Sequence, residues 1–303
     1  MKDANCVALL RWAAPRLGLR WAGFVNVRGQ VCKRIRRRIT ELGLNGVAAY
    51  RMYLVAKPEE WQELARACVV TISRFYRDAE VWRALGAEVL PRCAEAALEA
   101  GETELACWSA GCASGEEPYT LALLWDLELA AHYPGLRLRV LGTDLDASVL
   151  ERARAARYAA DTLRELPSGW LARAFEPRGQ AFLLREPFRR ALEWQQADLR
   201  QELPSEPFRL IFCRNLACTY FEAALARKLL TRCAERLVAG GALVIGRSER
   251  LPEGTPLSPW RSELGIYRRG TAAPRPELPP DVLQREPGPP STNVEEPRRE
   301  ASA

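Results

Sequence analysis

Leu105-Ala-Cys-Trp-Ser-Ala-Gly-Cys-Ala-Ser-Gly-Glu-Glu-Pro118 is the stretch whose reading decides the fold of this chain. Residues 105–108 are a short apolar run that reads as a buried strand. Residues 109–115 are all small, which lets a ligand or a neighbouring segment approach the backbone closely. Glu116-Glu117-Pro118 then opens a helix. Proline suits the first helical turn, and acids there interact favourably with the helix dipole. A tight turn before a capped helix accounts for this stretch as well as a binding loop does.

The same alternation continues outward. Residues 118–131 read as a helix, 136–142 as a strand, 148–156 as a helix and 191–196 as a strand. Phe208-Arg-Leu-Ile-Phe-Cys213 reads as a fully buried strand, 221–238 as a helix stopped by Gly240-Gly241, 242–246 as a strand and 265–269 as a last, edge-like strand. Strands alternating with helices imply an α/β fold, a mostly parallel sheet covered on both faces. Residues 157–190, interrupted by Pro167, Pro177 and Pro187, read as irregular.

The N-terminal part is different. Val31, Ile35, Ile39 and Leu42 recur at helical spacing, Gly43 and Gly46 break the pattern, and helices follow from about 45 to 55 and after Pro58, the latter with Trp61, Leu64, Ala65 and Cys68 on one side. Asp78 reads as the N-cap of a long helix to Ala100 that Pro91 divides. The expected organisation is a helical domain over 1–78, a sheet domain over 79–270 and a disordered tail over 271–303. In that tail proline, glutamate and arginine dominate and too little apolar surface remains to offset ordering entropy.

Composition bounds the chemistry. With 303 residues, 48% of them hydrophobic, the chain can bury a sizeable core. No run approaches the roughly 18–20 apolar residues of a membrane span, and Asp3, Asn5, Arg11 and Arg16 break any signal-peptide pattern, so a cytoplasmic protein with no membrane insertion is expected. Nine dispersed cysteines without a Cys-x-x-Cys pair, and the single His132, argue against a zinc site or any other metal centre and against a histidine base. Most of those thiols are expected as small core hydrophobes in a reducing compartment, and His132 as a surface residue. Arg28, Lys33, Arg34, Arg36, Arg37 and Arg38 crowd residues 28–38 without an acid, within a net charge of +6. This favours an acidic partner surface; a solvated charged face is the alternative.

Polar residues gather at the predicted carboxyl ends of the strands, where such sheets bind ligands. Two carboxylates at the helix start, Glu116 and Glu117, would repel a phosphate and attract a cation, such as the ammonium or sulfonium of S-adenosylmethionine (SAM). Asp144 follows the next strand at the place where a ribose diol is gripped in dinucleotide folds. Asp146 reads as a helix N-terminal acid. Asp198 suits either an adenine amino group or a loop cap, and Arg214-Asn215 either a ligand or a salt bridge with a turn.

Taken together these segments resemble the chemotaxis-receptor (CheR-type) methyltransferase family, which methylates protein glutamates using SAM. The resemblance spans about residues 5–269. It rests on Ser73-Arg-Phe-Tyr-Arg-Asp78, Trp108-Ser-Ala-Gly-Cys-Ala-Ser-Gly-Glu-Glu-Pro-Tyr-Thr120, Gly142-Thr-Asp-Leu-Asp146, Phe212-Cys-Arg-Asn215 and Gly246-Arg-Ser-Glu249. It implies a Rossmann-like class I SAM-dependent methyltransferase sheet with a small N-terminal all-helical domain. It implies cofactor contacts at Thr71, Ser73, Arg77, one of Glu116 and Glu117, Asp144, Asp198, Leu199, Arg214 and Asn215. Arg77 and Tyr220 are the implied catalytic residues. The resemblance further implies that the basic helix, with Lys33, Arg34, Arg36, Arg37 and Arg38, meets acidic receptor helices, and that 157–190 corresponds to a small β insertion.

The chain also departs from the family. Four residues, 216–219, separate Asn215 from Tyr220-Phe221 where the family has three, which puts the register of Tyr220 in question. Arg247 replaces the histidine of Gly-His-Ser-Glu, and Phe75-Tyr76 replaces Phe-Phe. Two alternatives therefore stand beside glutamate methylation: a SAM methyltransferase for another substrate class, and a non-catalytic sensor of SAM or S-adenosylhomocysteine. Nucleic acid is disfavoured as partner, because no aromatic base-stacking motif accompanies the basic stretch.

Overall fold

Five parallel strands carry the fold, and the alternation of their side chains explains why. β1 (Glu104–Ala110) pairs in parallel with β2 (Arg137–Asp144) on one side and β7 (Phe208–Cys213) on the other; β6 (Leu192–Gln196) extends the sheet beyond β2, and β8 (Leu237–Ile245) beyond β7. Leu105 and Cys107, Leu210 and Phe212, and Ala242 and Val244 face one core cluster, whereas Trp108, Ile211, Cys213, Leu243 and Ile245 face the other. Period-two burial on both faces is what a sheet sandwiched between helices requires. The computed structural model describes residues 3–68 and 73–270, so Thr71 and the tail 271–303 lie outside the described residues.

The strand order is β6-β2-β1-β7-β8-β10-β9, with β9 (Ser258–Arg261) and β10 (Ile266–Arg268) antiparallel. This is a Rossmann-like α/β sheet, as expected. β10 is not an edge: β9 pairs on its outer side. Strand order reverses direction at β1, so a crevice opens beyond the carboxyl ends of β1, β2 and β7. Residues expected to be irregular between 157 and 190 contain a small antiparallel sheet, β3 (Arg157–Ala159), β5 (Ala181–Leu184) and β4 (Phe175–Arg178) in that order.

Helices cover both faces. One face takes α5 (Ala79–Ala84), α6 (Leu90–Glu99) and α7 (Glu116–Leu124). The other takes α11 (Ala223–Arg236) and the N-terminal helices α1 (Asp3–Ala13), α2 (Arg28–Glu41), α3 (Val47–Ala56) and α4 (Glu60–Cys68). The described residues up to Gly270 belong to one compact unit.

Three local expectations are corrected. Pro91 does not divide its helix: a π turn over Leu85–Val89 precedes α6, with proline in its first turn, where no i−4 hydrogen bond is needed from it. Gly240 and Gly241 do not end α11, which stops at Arg236; they lie inside β8, where the pairing with β7 shifts register. Asp78 does stand at the N-cap of α5, but in the left-handed region (φ 62°) and without a capping bond from its side chain, which is held by Arg214 instead. Most cysteines are core residues as expected, all seven free thiols but Cys218 being buried; Cys6 in α1 and Cys32 in α2 differ in forming a disulfide.

The basic helix is only partly presented to solvent. Arg38 turns inward, its guanidinium bonding both oxygens of Glu60 (2.9 and 2.7 Å), while Tyr50 donates its hydroxyl to the same carboxylate (2.9 Å). Arg37 pairs with Glu41 along the helix. Lys33, Arg36 and Arg37 are the exposed cations among the five. Glu60 is only 3% exposed; burial pushes its pKa up, but the hydrogen bonds from Arg38 and Tyr50 outweigh that and hold it below the usual carboxylate value. A lowered folded-state pKa means stability present above the usual value and lost as pH falls through the lowered one. Glu60→Gln is therefore expected to cost about 2 kcal/mol at pH 7. The gap from wild type should narrow on acidification, as followed by thermal melts across pH.

Candidate functional site

A cavity of about 340 Å3 opens at the reversal of strand order, within the usual range for small-ligand sites (~300–1,000 Å3). Its floor is the loop after β1. Gly111 and Cys112 donate their amides to the carbonyl of Thr143 at the end of β2 (2.8 and 2.9 Å), so loop and strand end move as one. Gly111 (φ 77°) and Gly115 (φ 90°) take left-handed conformations, and a Cβ on either would collide, with Leu216 at 2.6 Å or Trp194 at 2.8 Å. The small residues of this loop are thus required by geometry as well as by any ligand.

Asp144 ends β2, is 6% exposed and lines the cavity. Its Oδ2 accepts from the Ala113 amide and its Oδ1 from the Asp146 amide, both at 3.0 Å. Burial nonetheless pushes its pKa up, with the two amides opposing. Each oxygen keeps a lone pair for a further donor. Asp146 is the N-cap of α8 (Ala147–Ala155), accepting from the Ser148 amide at 2.9 Å.

Of the two helix-opening glutamates, Glu117 lines the cavity. It accepts from Ser109 Oγ (2.8 Å) and from Arg214 (3.2 Å). Burial raises its pKa, and Arg214 is the chief force pulling it back. Glu116 does not line the cavity; its carboxyl is buried towards Ser73 and also shifted up by burial. Arg214, its side chain 3% exposed at the end of β7, joins Glu117 to Asp78 (2.5 Å) and also donates to the Arg77 carbonyl (3.2 Å). Ser73, Arg77, Leu199 and Asn215 line the same cavity.

Asp198 lines it too, but its carboxylate is already engaged. Arg200 reaches both oxygens through its guanidinium (2.8 and 2.7 Å) and one through its amide (3.0 Å), and Gln201 takes the fourth position (3.3 Å). Burial pushes its pKa up, yet these bonds win and hold it below the usual value. These bonds make Asp198 a loop cap as well as a cavity-lining residue.

The extra residue before Tyr220 is absorbed locally. Asn215 adopts φ 54°, residues Ala217–Tyr220 form a single helical turn, α10, and Tyr220 still lines the cavity, its ring 6.0 Å from that of Phe24. Glu249 braces this turn, accepting from the Asn215 and Gly246 amides and from Thr219 Oγ1 (2.8, 2.6 and 2.7 Å). Arg247 is not part of the cavity and bridges Glu80 at half-exposed positions (2.9 Å). Sequence reasoning assigned no role to Glu249, although it ends the Gly246-Arg-Ser-Glu249 segment, and missed Arg200, Trp82 and the contribution of the N-terminal segment, whose Leu19, Gly23, Asn26 and Val27 line the cavity. Leu19, Gly23, Asn26 and Val27 stand in no polar cluster that would have marked them.

Residues 71–261 match the family described as CheR methyltransferase, SAM binding domain. The chain belongs to this family. The chemotaxis protein methyltransferase of Listeria monocytogenes serovar 1/2a is 33% identical over 190 residues, 62% of this chain and 69% of that one. That of Salmonella typhimurium strain LT2 is 30% identical over 257 residues, 82% and 84% of the respective chains. The solved N-methyltransferase NodS from Bradyrhizobium japonicum WM9, in complex with S-adenosyl-L-homocysteine, is 16% identical, covers 56% of this chain and 63% of that chain, and has a TM-score of 0.30.

This CheR-family protein is a SAM-dependent methyltransferase. Its own residues fit that cofactor: two carboxylates, Asp144 and Glu117, border a cavity whose floor has no room for a side chain at Gly111 or Gly115. Among the described residues no helix is long and apolar enough to cross a membrane.

Proposed function

We propose that this CheR-family methyltransferase converts a glutamate side chain of an acidic, receptor-like helical protein to its methyl ester, as part of a chemotaxis-type signalling route. One observation carries the reading. Arg77 and Tyr220 border the same cavity as Asp144 and Glu117, while the single histidine, His132, lies exposed on the loop before β2. A site that sets a guanidinium and a phenol beside the cofactor carboxylates suits an acceptor that is already ionised near neutral pH and needs no deprotonation, as glutamate is.

SAM, when bound, supplies an activated methyl group on a sulfonium. Asp144 would hold the ribose hydroxyls, Glu117 the methionine ammonium and Leu199 the adenine face, with Ser73 and Asn215 bordering the cofactor and Arg214 fixing Glu117. Thr71 remains a candidate contact from the family resemblance. Asp198 would act through Arg200 to set the loop rather than touch the base. Arg77 would orient the acceptor carboxylate and Tyr220 donate to it, so that the nucleophilic oxygen lies in line with the methyl. Bringing an anion to a cation to give two neutral products is favoured by the exclusion of water, and alignment supplies the rest.

We keep the division of the chain near residue 78 as part of this proposal: the helical segment would face the acceptor, with Lys33, Arg36 and Arg37 attracting its acids. Incubating a cell lysate with radiolabelled SAM should then give protein-bound label that is released by mild base, whereas base-stable label would contradict an ester. Tyr220→Phe, which removes one hydrogen bond, should lower the rate of base-labile labelling about tenfold. Cofactor affinity, measured by calorimetry, should stay unchanged.

A further inference from the structure

The turn that presents Tyr220 has a short helix's usual problem. α10 is four residues long, so the carbonyls of Cys218, Thr219 and Tyr220 find no partner within it. All three are taken by one residue of the N-terminal segment. The Arg20 guanidinium donates to the Cys218 carbonyl and, at 2.9 Å, to the Thr219 carbonyl, and the Arg20 amide donates to the Tyr220 carbonyl at 2.8 Å. The Glu222 amide returns a bond to the Gly18 carbonyl (2.9 Å), and Leu19 and Phe221 form a β-bridge. The fit is close: a Cβ on Gly23 would stand 2.5 Å from the Thr219 oxygen and 3.2 Å from the Tyr220 Cα. A cation at the carbonyl end of a helical turn is also the favourable sign.

We propose that Arg20 is a positioning residue for Tyr220. It clasps the lengthened turn from outside the sheet and keeps Tyr220 in the cavity wall despite the extra residue between Asn215 and Tyr220. The proposal rests on the reading of Tyr220 as the group that meets the acceptor. The clasp also makes the segment leading into the basic helix α2 part of the site's framework, because Arg20 lies only eight residues before Arg28, where that helix begins.

Arg20→Ala removes the two guanidinium bonds and leaves the backbone bond, so it tests the side chain alone. The rate of base-labile methyl incorporation into a fixed lysate should fall about tenfold, with the cofactor dissociation constant within about twofold of wild type. Arg20→Lys, which keeps the charge but not the fork, should recover part of the rate. Hydrogen exchange at the amides of residues 217–222 should quicken in Arg20→Ala and stay unchanged elsewhere in the sheet. Should Arg20→Ala fail to fold, Arg20→Gln is put through the same measurements. A rate within about twofold of wild type, or a loss matched by equal losses of cofactor affinity and melting temperature, overturns the proposal. If wild type yields no base-labile label, the acceptor reading fails by itself. Hydrogen exchange then decides for the clasp: faster exchange confined to 217–222 supports it, and unchanged exchange overturns it.

Discussion

Arg214→Met is expected to lower stability by about 3 kcal/mol and to abolish measurable cofactor binding. The methionine fills a similar volume, so the loss is electrostatic. Arg214 is buried between Glu117 and Asp78, and its removal leaves two carboxylates facing each other across the end of β7 with no cation between them. Breaking a buried ion pair from one side costs more than the pair contributes, because the remaining charge stays desolvated. Glu117 already has a raised pKa, with Arg214 the main opposing influence, so the substitution raises it further. An acid whose folded-state pKa is raised destabilises the fold at neutral pH, and this penalty is relieved as pH falls through that raised value. The destabilisation relative to wild type should therefore shrink on acidification in chemical denaturation series. A constant difference across pH would mean that the loss comes from packing against Trp82 instead.

Asp144→Asn should weaken SAM binding about a hundredfold in calorimetry, with little change in melting temperature. Asparagine keeps the shape and can still accept through its amide oxygen from one of the Ala113 and Asp146 amides, but the charge-assisted grip on two ribose hydroxyls is gone. Because burial raises the pKa values of both Asp144 and Glu117, wild-type affinity should begin to fall above the ordinary carboxylate range as pH is lowered. The variant should keep only the Glu117 part of that dependence. Equal affinity in variant and wild type would remove Asp144 from the ribose site.

Much of this architecture was legible in the sequence. β7 runs from Phe208 to Cys213 as its apolar run, interrupted only by Arg209, predicts, and Asp144 stands at the end of β2 where a ribose-binding acid was expected. What stayed hidden depends on orientation or on distant partners. Successive residues on a helix point about 100° apart, so the choice between Glu116 and Glu117 turns on how Gly115 sets the start of α7, which composition does not encode. Asp78 looks like a helix cap by type and position, yet Arg214, 136 residues further along, claims its carboxylate. Asp198 reads from sequence as either a ligand or a loop cap, and its engagement by Arg200, two residues on, is a matter of orientation that the sequence does not show. The longer turn before Tyr220 looked like a lost register. The structure takes up the extra residue through the left-handed Asn215 and the α10 turn, held by Glu249 on one side and Arg20 on the other. Neither brace is near Tyr220 in sequence; Glu249 ends the Gly246-Arg-Ser-Glu249 segment, which does not reveal where its carboxylate reaches, and Arg20 belongs to no motif.

The most direct test of the account is to locate the transferred methyl. The wild-type protein and Asp144→Asn are incubated with SAM carrying a deuterated methyl and a lysate as acceptor, and the labelled peptides are sequenced by mass spectrometry at mildly acidic pH. The account predicts deuteromethyl groups on glutamate side chains of acidic helical segments, with labelling strongly reduced in the variant. Label on lysine or arginine nitrogens, or on nucleic acid with none on glutamate, would contradict it.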